Sequence, residues 1–123
     1  MPNLLNLIGA SITLALGLYG LVFPKRGAAL VRLSPTNNAK EGQSEFRASF
    51  GGLWVGLGAV PLFTMEPLAF AMAGFVWLTA AFGRAISFVL DGTITRMNAI
   101  NIVFEIGCAG LLLVGTPARA ILL

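Results

Sequence analysis

Four apolar stretches, each long enough to cross a bilayer as a helix, alternate with short polar segments. The first runs from Asn3 to Phe23. Its roughly 21 residues, at about 1.5 Å each, match a hydrocarbon core about 30 Å thick. Pro24, Lys25 and Arg26 end it. No Lys or Arg precedes it and no small-residue cleavage site stands out, so it reads as a retained helix and not as a signal peptide. The other stretches cover 46–64, 67–90 and 97–114. Together they predict one all-α membrane domain over residues 1–123, a four-helix transmembrane bundle.

The segments between them carry the stop and start signals. Residues 24–45 are the longest polar connection. Pro24 suits the first position of a short interfacial helix through Leu33, with Lys25, Arg26 and Arg32 at headgroup level. Ser34-Pro35-Thr36-Asn37-Asn38 reads as turn, and Lys40 to Gln43 as an irregular, mobile stretch. Ser44 is the expected N-cap of the second helix, with Glu45 favourable to its dipole. Pro61 is expected to kink that helix near its far end. Pro67 opens the third helix, and Asp91-Gly92 closes it. Gly115, Thr116 and Pro117 end the fourth.

Composition supports the membrane reading. Hydrophobic residues make up 57% of the chain and charged ones 11%, against about 25% charged in soluble domains. A soluble chain of this size has no core large enough to hide so much apolar surface. The net charge is +3, but the basic residues sit between apolar runs and form no stripe with aromatics, which argues against nucleic acid. Their distribution instead sets an orientation. Lys25, Arg26, Arg32, Lys40, Arg47, Arg84 and Arg96 fall on the side of the first and third connections, and Arg119 alone on the other. The positive-inside rule then puts both termini on the non-cytoplasmic side.

Small residues mark helix contacts, because helices in lipid associate through close backbone approach. Gly9, Thr13 and Gly17 recur at spacing four on the first helix, and Ala48, Gly52 and Gly56 on the second. These two faces are expected to meet each other or a partner chain. Packing is favoured over any ligand role, and the glycines lack the spacing of a nucleotide-binding loop. Trp54 and Trp77 fall mid-helix and read as packing residues.

The most informative feature is a pair of polar stripes. Arg84, Ser87 and Asp91 share one face of the third helix, and Asn98, Asn101 and Glu105 one face of the fourth. In an antiparallel hairpin, a single register sets Arg84 beside Glu105, Ser87 beside Asn101 and Asp91 beside Asn98. Glu105 lies about 12 Å into its helix, where an unpaired charge costs at least about 2.5–3.5 kcal/mol. An Arg84–Glu105 ion pair is the expected remedy, with Glu45 and Arg47 as candidate extensions of the network. Such a pair fixes which helix faces which; the competing reading is a functional site that binds a headgroup or anion at Arg84 or moves a proton through Glu105. The structural reading is favoured because each charge already has a partner.

Ser44-Glu45-Phe46-Arg47 followed by Gly51-Gly52-Leu53-Trp54, then Gly83-Arg84, Leu90-Asp91-Gly92, Asn98 and Glu105, resembles a domain-of-unknown-function family, number 4345, of small bacterial membrane proteins. The resemblance covers nearly the whole chain and implies a bacterial four-helix inner-membrane protein with no assigned activity; in a bacterium, the orientation set by the basic residues makes both termini periplasmic. The helix count is also similar to that of the DoxX-like families, a likeness of architecture alone.

Chemistry is scarce. There is no His, and one Cys, Cys108, lies inside an apolar run. No intrachain disulfide forms from one thiol, and no metal site or cofactor set is present in the residue inventory. A non-enzymatic protein is expected, with the lipid bilayer and other membrane chains or copies of itself as partners. Its leading reading is an accessory or assembly subunit of a larger membrane complex. The alternative is an oligomeric carrier or lipid- or small-molecule-binding protein that uses the Arg84/Glu105 pair.

Overall fold

Helix α1 (Leu4–Val22) starts where Asn3 caps it: the Asn3 side chain accepts from the Asn6 amide, and the Asn6 side chain accepts from the Asn3 amide. The computed structural model describes residues 1–116; Pro117 and Arg119 lie outside the described residues. Helix α2 (Pro24–Leu30) follows at once, with Pro24 at its first position. A 3₁₀ turn at Thr36–Asn38 leads into α3 (Lys40–Thr64), and then come α4 (Pro67–Leu90) and α5 (Arg96–Leu113). Helices α1, α3, α4 and α5 are long and apolar enough to cross a membrane, which makes this a multi-pass membrane protein.

The start of α3 differs from expectation. The helix begins at Lys40, so Ser44 lies within it and caps nothing, and Lys40 to Gln43 is helical. Two features extend it backward. Glu41 sits in the first turn, where the helix dipole favours a carboxylate. Gly42 lies so close to Pro35 that no side chain would fit, and the preceding turn folds onto the helix. At the other end α3 continues through Pro61 to Thr64, and Met65, at φ 56°, turns the chain toward α4.

Helix α1 is the central element. It packs along α3 on one side and along α5 on the other, while α4 packs mainly on α5. Near mid-bundle the Trp54 and Trp77 rings lie 4.3 Å apart, and this contact joins α3 to α4. Trp77 is buried, and its Nε1 donates to Thr13 Oγ1 at 2.9 Å; that hydroxyl donates in turn to the Gly9 carbonyl at 2.8 Å. A dry interior thus leaves neither the indole nor the hydroxyl without a partner. Ala10, Phe70, Ala73, Cys108, Ala109 and Leu112 complete this core.

Close approach between α1 and α3 runs through glycines, but not the expected set. A Cβ on Gly17 would lie 2.7 Å from the Trp54 carbonyl carbon, and one on Gly58 would lie 2.7 Å from Leu14 Cα. Gly51 meets Leu21 and Gly20 meets Phe50 in the same way. Gly52 and Gly56, together with Ala48, point away from α1 and are exposed. Gly9 faces α5, where Leu112 lies against it.

Arg47–Gly52 is a π-helical stretch within α3. A π turn closes in five residues where an α turn takes fewer. Phe46 and Gly51, five apart, are thereby brought to one side, and Gly51 and Gly58, seven apart, share a face by ordinary α geometry. Phe46 then packs on Gly27 of α2, and Gly51 on α1. A spacing-four reading assumes uniform α-helix and selects a different stripe.

Gly58→Val is expected to cost about 1–3 kcal/mol, the range for forced overpacking, because the new side chain meets the α1 backbone. Gly56→Val is expected to be neutral within about 0.5 kcal/mol. Unfolding of the detergent-solubilised chain by graded denaturing detergent separates the two, and equal losses would contradict this helix arrangement.

Candidate functional site

Burial in the α4/α5 hairpin stops abruptly toward the turn that joins the helices. Ala81 and Glu105 are buried, and none of residues 82–104 is. The polar seam occupies this boundary. Arg84 grips Glu105 side-on: its Nε donates to Oε1 at 3.0 Å and to Oε2 at 3.2 Å, and its Nη2 donates to Oε1 at 2.5 Å. This fork geometry is the strong form of the arginine–carboxylate interaction. The Glu105 side chain is 7% exposed and that of Arg84 29%.

The network continues from Arg84 toward the hairpin turn. Arg84 Nη1 donates to Asn98 Oδ1 at 3.0 Å, and Asn98 Nδ2 donates to the Thr93 carbonyl at 2.9 Å. Local sequence fixes Asn98 in place. Thr95 is the N-cap of α5, and its hydroxyl oxygen accepts from the Asn98 amide at 3.2 Å. Ser87 Oγ donates to Asp91 Oδ2 at 2.8 Å and lies 2.9 Å from Thr93 Oγ1.

Several expected members of the network stand elsewhere. Asp91 does not reach Asn98, because Ser87 holds it one helical turn back on α4. Ser87 does not pair with Asn101, and Asn101 makes no side-chain hydrogen bond among the described residues. Asn98 is fully engaged without Asp91: its Oδ1 accepts from Arg84, and the Nδ2 donor that a carboxylate would need goes to the Thr93 carbonyl. Glu45 and Arg47 belong to α3 and do not join. Glu45 accepts from Ser49 Oγ at 3.1 Å, and Arg47 donates to the Leu21 carbonyl at the end of α1. There the cation satisfies an orphan helix-end carbonyl.

A second polar site at the opposite end of the bundle escaped the sequence reading. Asn6 is 3% exposed. Its Nδ2 donates to the carbonyls of Leu111 at 2.9 Å, Leu112 at 3.1 Å and Val114 at 3.1 Å. Asn3 Nδ2 adds a bond to the Val114 carbonyl at 3.0 Å. These are carbonyls of the last turn of α5, which have no partner within the helix. The available signal was the Asn3/Asn6 pair, three apart, at the start of an apolar run. A buried amide there needs acceptors from another element.

The two charged side chains in the seam neutralise each other and are closed off by hydrogen bonds. Arg84 uses three of its five N–H groups on described partners. As it stands, the arrangement locks two helices in register near one end of the bundle. Residues 3–116 match the family described as domain of unknown function (DUF4345). The chain belongs to this family. The matched span includes all four long helices, the Arg84/Glu105 seam and the Asn6 clasp. No curated protein and no solved structure matched the chain. Nothing supports the likeness to DoxX-like families.

Glu105→Ala leaves the half-buried Arg84 cation without its counter-charge, whereas Arg84→Ala/Glu105→Ala removes both charges. The single variant is expected to lose at least about 1 kcal/mol more stability than the double one, since a stranded charge costs more than an absent pair. A double-variant cycle on unfolding free energies checks this, and equal losses would mean that the two groups are uncoupled. Asn6→Leu, which removes the donor of the Leu111 carbonyl and leaves those of Leu112 and Val114 with Thr116 and Asn3 alone, is expected to cost about 1–3 kcal/mol in the same assay.

Proposed function

We propose that this protein is a non-enzymatic accessory or assembly subunit of the bacterial inner membrane that docks another membrane chain on the outward face of α3. The observation that carries the reading is the contrast between two glycines half a turn apart. Gly58 is jammed against α1, whereas a Cβ on Gly56 would have nothing within 4 Å. Ala48, Gly52 and Gly56 make a smooth strip that no helix among the described residues covers. Glycine in a helix interior costs roughly 0.5–1 kcal/mol relative to alanine, and Gly52 and Gly56 return nothing for it within this fold. Small-residue strips are what membrane helices use to approach one another. The matching partner is a single apolar helix with its own small-residue face.

The basic residues support an orientation. Lys25, Arg26, Arg32, Lys40, Arg47 and Arg96 lie at the end of the bundle opposite the Asn6 clasp, and by the positive-inside rule that end is cytoplasmic and the termini periplasmic. The residue inventory supports the absence of catalysis: no His, and a buried Cys108. The partial exposure of Arg84 favours a second reading, an oligomeric carrier or small-molecule-binding protein. That reading requires Arg84 or Glu105 to release its partner, and a Glu105→Gln protein with unchanged flux in an active assay excludes the proton-moving version.

Native mass spectrometry of the tagged chain, gently extracted from its own membranes, is the test. A second membrane protein at fixed stoichiometry is expected. Gly52→Leu/Gly56→Leu should abolish it without destabilising the bundle, and Gly107→Leu, which alters a bare glycine on α5, should leave it intact. A chain that extracts alone, or an association equally sensitive to both changes, defeats the reading.

A further inference from the structure

The connection between α1 and α3 folds back on itself and encloses a recess of about 1080 Å³ beside the ends of the spans. One wall is α2 and the other is the first turns of α3. Lys25, Arg32 and Lys40 line it, and all three are exposed. Its one carboxylate, Glu45, is engaged by the Ser49 hydroxyl. The apolar side of the recess is formed by Phe46 and Phe50, whose rings stack 4.6 Å apart at 14°.

Three cations over an apolar wall, at the level where helix gives way to polar connection, match an amphiphile with an anionic head. Arg32 holds a left-handed conformation at φ 57°, which disfavours side-chain-bearing residues and is native to glycine. It is the turn that ends α2: the Arg32 amide donates to the Ala29 carbonyl and the Leu33 amide to the Ala28 carbonyl. Here it carries a charged side chain into the recess.

We infer that this recess holds the phosphate of an anionic phospholipid headgroup, with Lys25, Arg32 and Lys40 around the phosphate and Phe50 against the start of an acyl chain. The site is separate from the Arg84/Glu105 seam and does not depend on the docking face of α3. Each cation beside a lipid phosphate contributes enough to change affinity about fivefold. A free phosphate compound shares the headgroup chemistry but has no use for the aromatic wall.

The test is a lipid titration of the purified full chain in neutral detergent, read by native mass spectrometry. Phosphatidylglycerol is compared with phosphatidylcholine. The parent chain is expected to retain phosphatidylglycerol preferentially. Arg32→Gly removes the charge while suiting the left-handed backbone, so it should keep or raise thermal stability and lower the preference about fivefold. Lys25→Gln/Lys40→Gln should lower it further. Arg96→Gln, at the same end but outside the recess, should change nothing. The inference is overturned by a parent chain without preference, by an Arg96→Gln loss equal to that of Arg32→Gly, or by displacement of the lipid with millimolar inorganic phosphate, which would assign the site to soluble phosphates.

Discussion

Everything in this bundle depends on how closely α1 and α3 approach. Lipid gives helices no hydrophobic reason to associate, so contact must come from backbones brought near enough for dispersion and weak polar forces to accumulate. Gly17 and Gly20 on α1, with Gly51 and Gly58 on α3, leave no room for side chains where they cross. That seam makes α1 the central element, and the remaining contacts follow. Trp77 reaches Thr13 across the core, and Leu112 settles on Gly9.

Apart from the Trp77–Thr13 hydrogen bond at mid-bundle, the buried polar side chains gather at the two ends of the interior, and each end uses a different device. At one end, Arg84 and Glu105 cancel their charges across α4 and α5. At the other, Asn6 gathers the carbonyls left over at the end of α5. Both obey one constraint: a donor or acceptor in hydrocarbon must find its partner inside the protein. They differ in reach. The charged seam ties neighbours in sequence, and the amide clasp ties the first helix to the last.

Much of this was legible in the chain. Helix α4 begins at Pro67 and ends at Leu90, as the proline and the Asp91-Gly92 stop imply. The opposed charges on α4 and α5 stood out because charged residues are rare in apolar runs. What was not legible has physical causes. Counting by fours lands on Gly52 and Gly56, whereas the face that meets α1 carries Gly51 and Gly58 at spacing seven, and the π turn at Arg47–Gly52 brings Phe46 to the side of Gly51. The Asp91 and Asn98 assignments failed because backbone acceptors are invisible to a register argument: the Nδ2 donor of Asn98 goes to the Thr93 carbonyl. Asn6 was overlooked because its acceptors are backbone atoms, which carry no residue signature.

The Asn6 clasp also imposes an order of events on synthesis. Its donor lies in α1, and the nearest of its acceptors lies 105 residues further along the chain. Until α5 is made, the Asn6 amide, in the first turn of α1, has water and headgroups as its partners. The clasp can close only once α5 is in place, and a chain that stops before Leu111 lacks every α5 carbonyl that Asn6 binds.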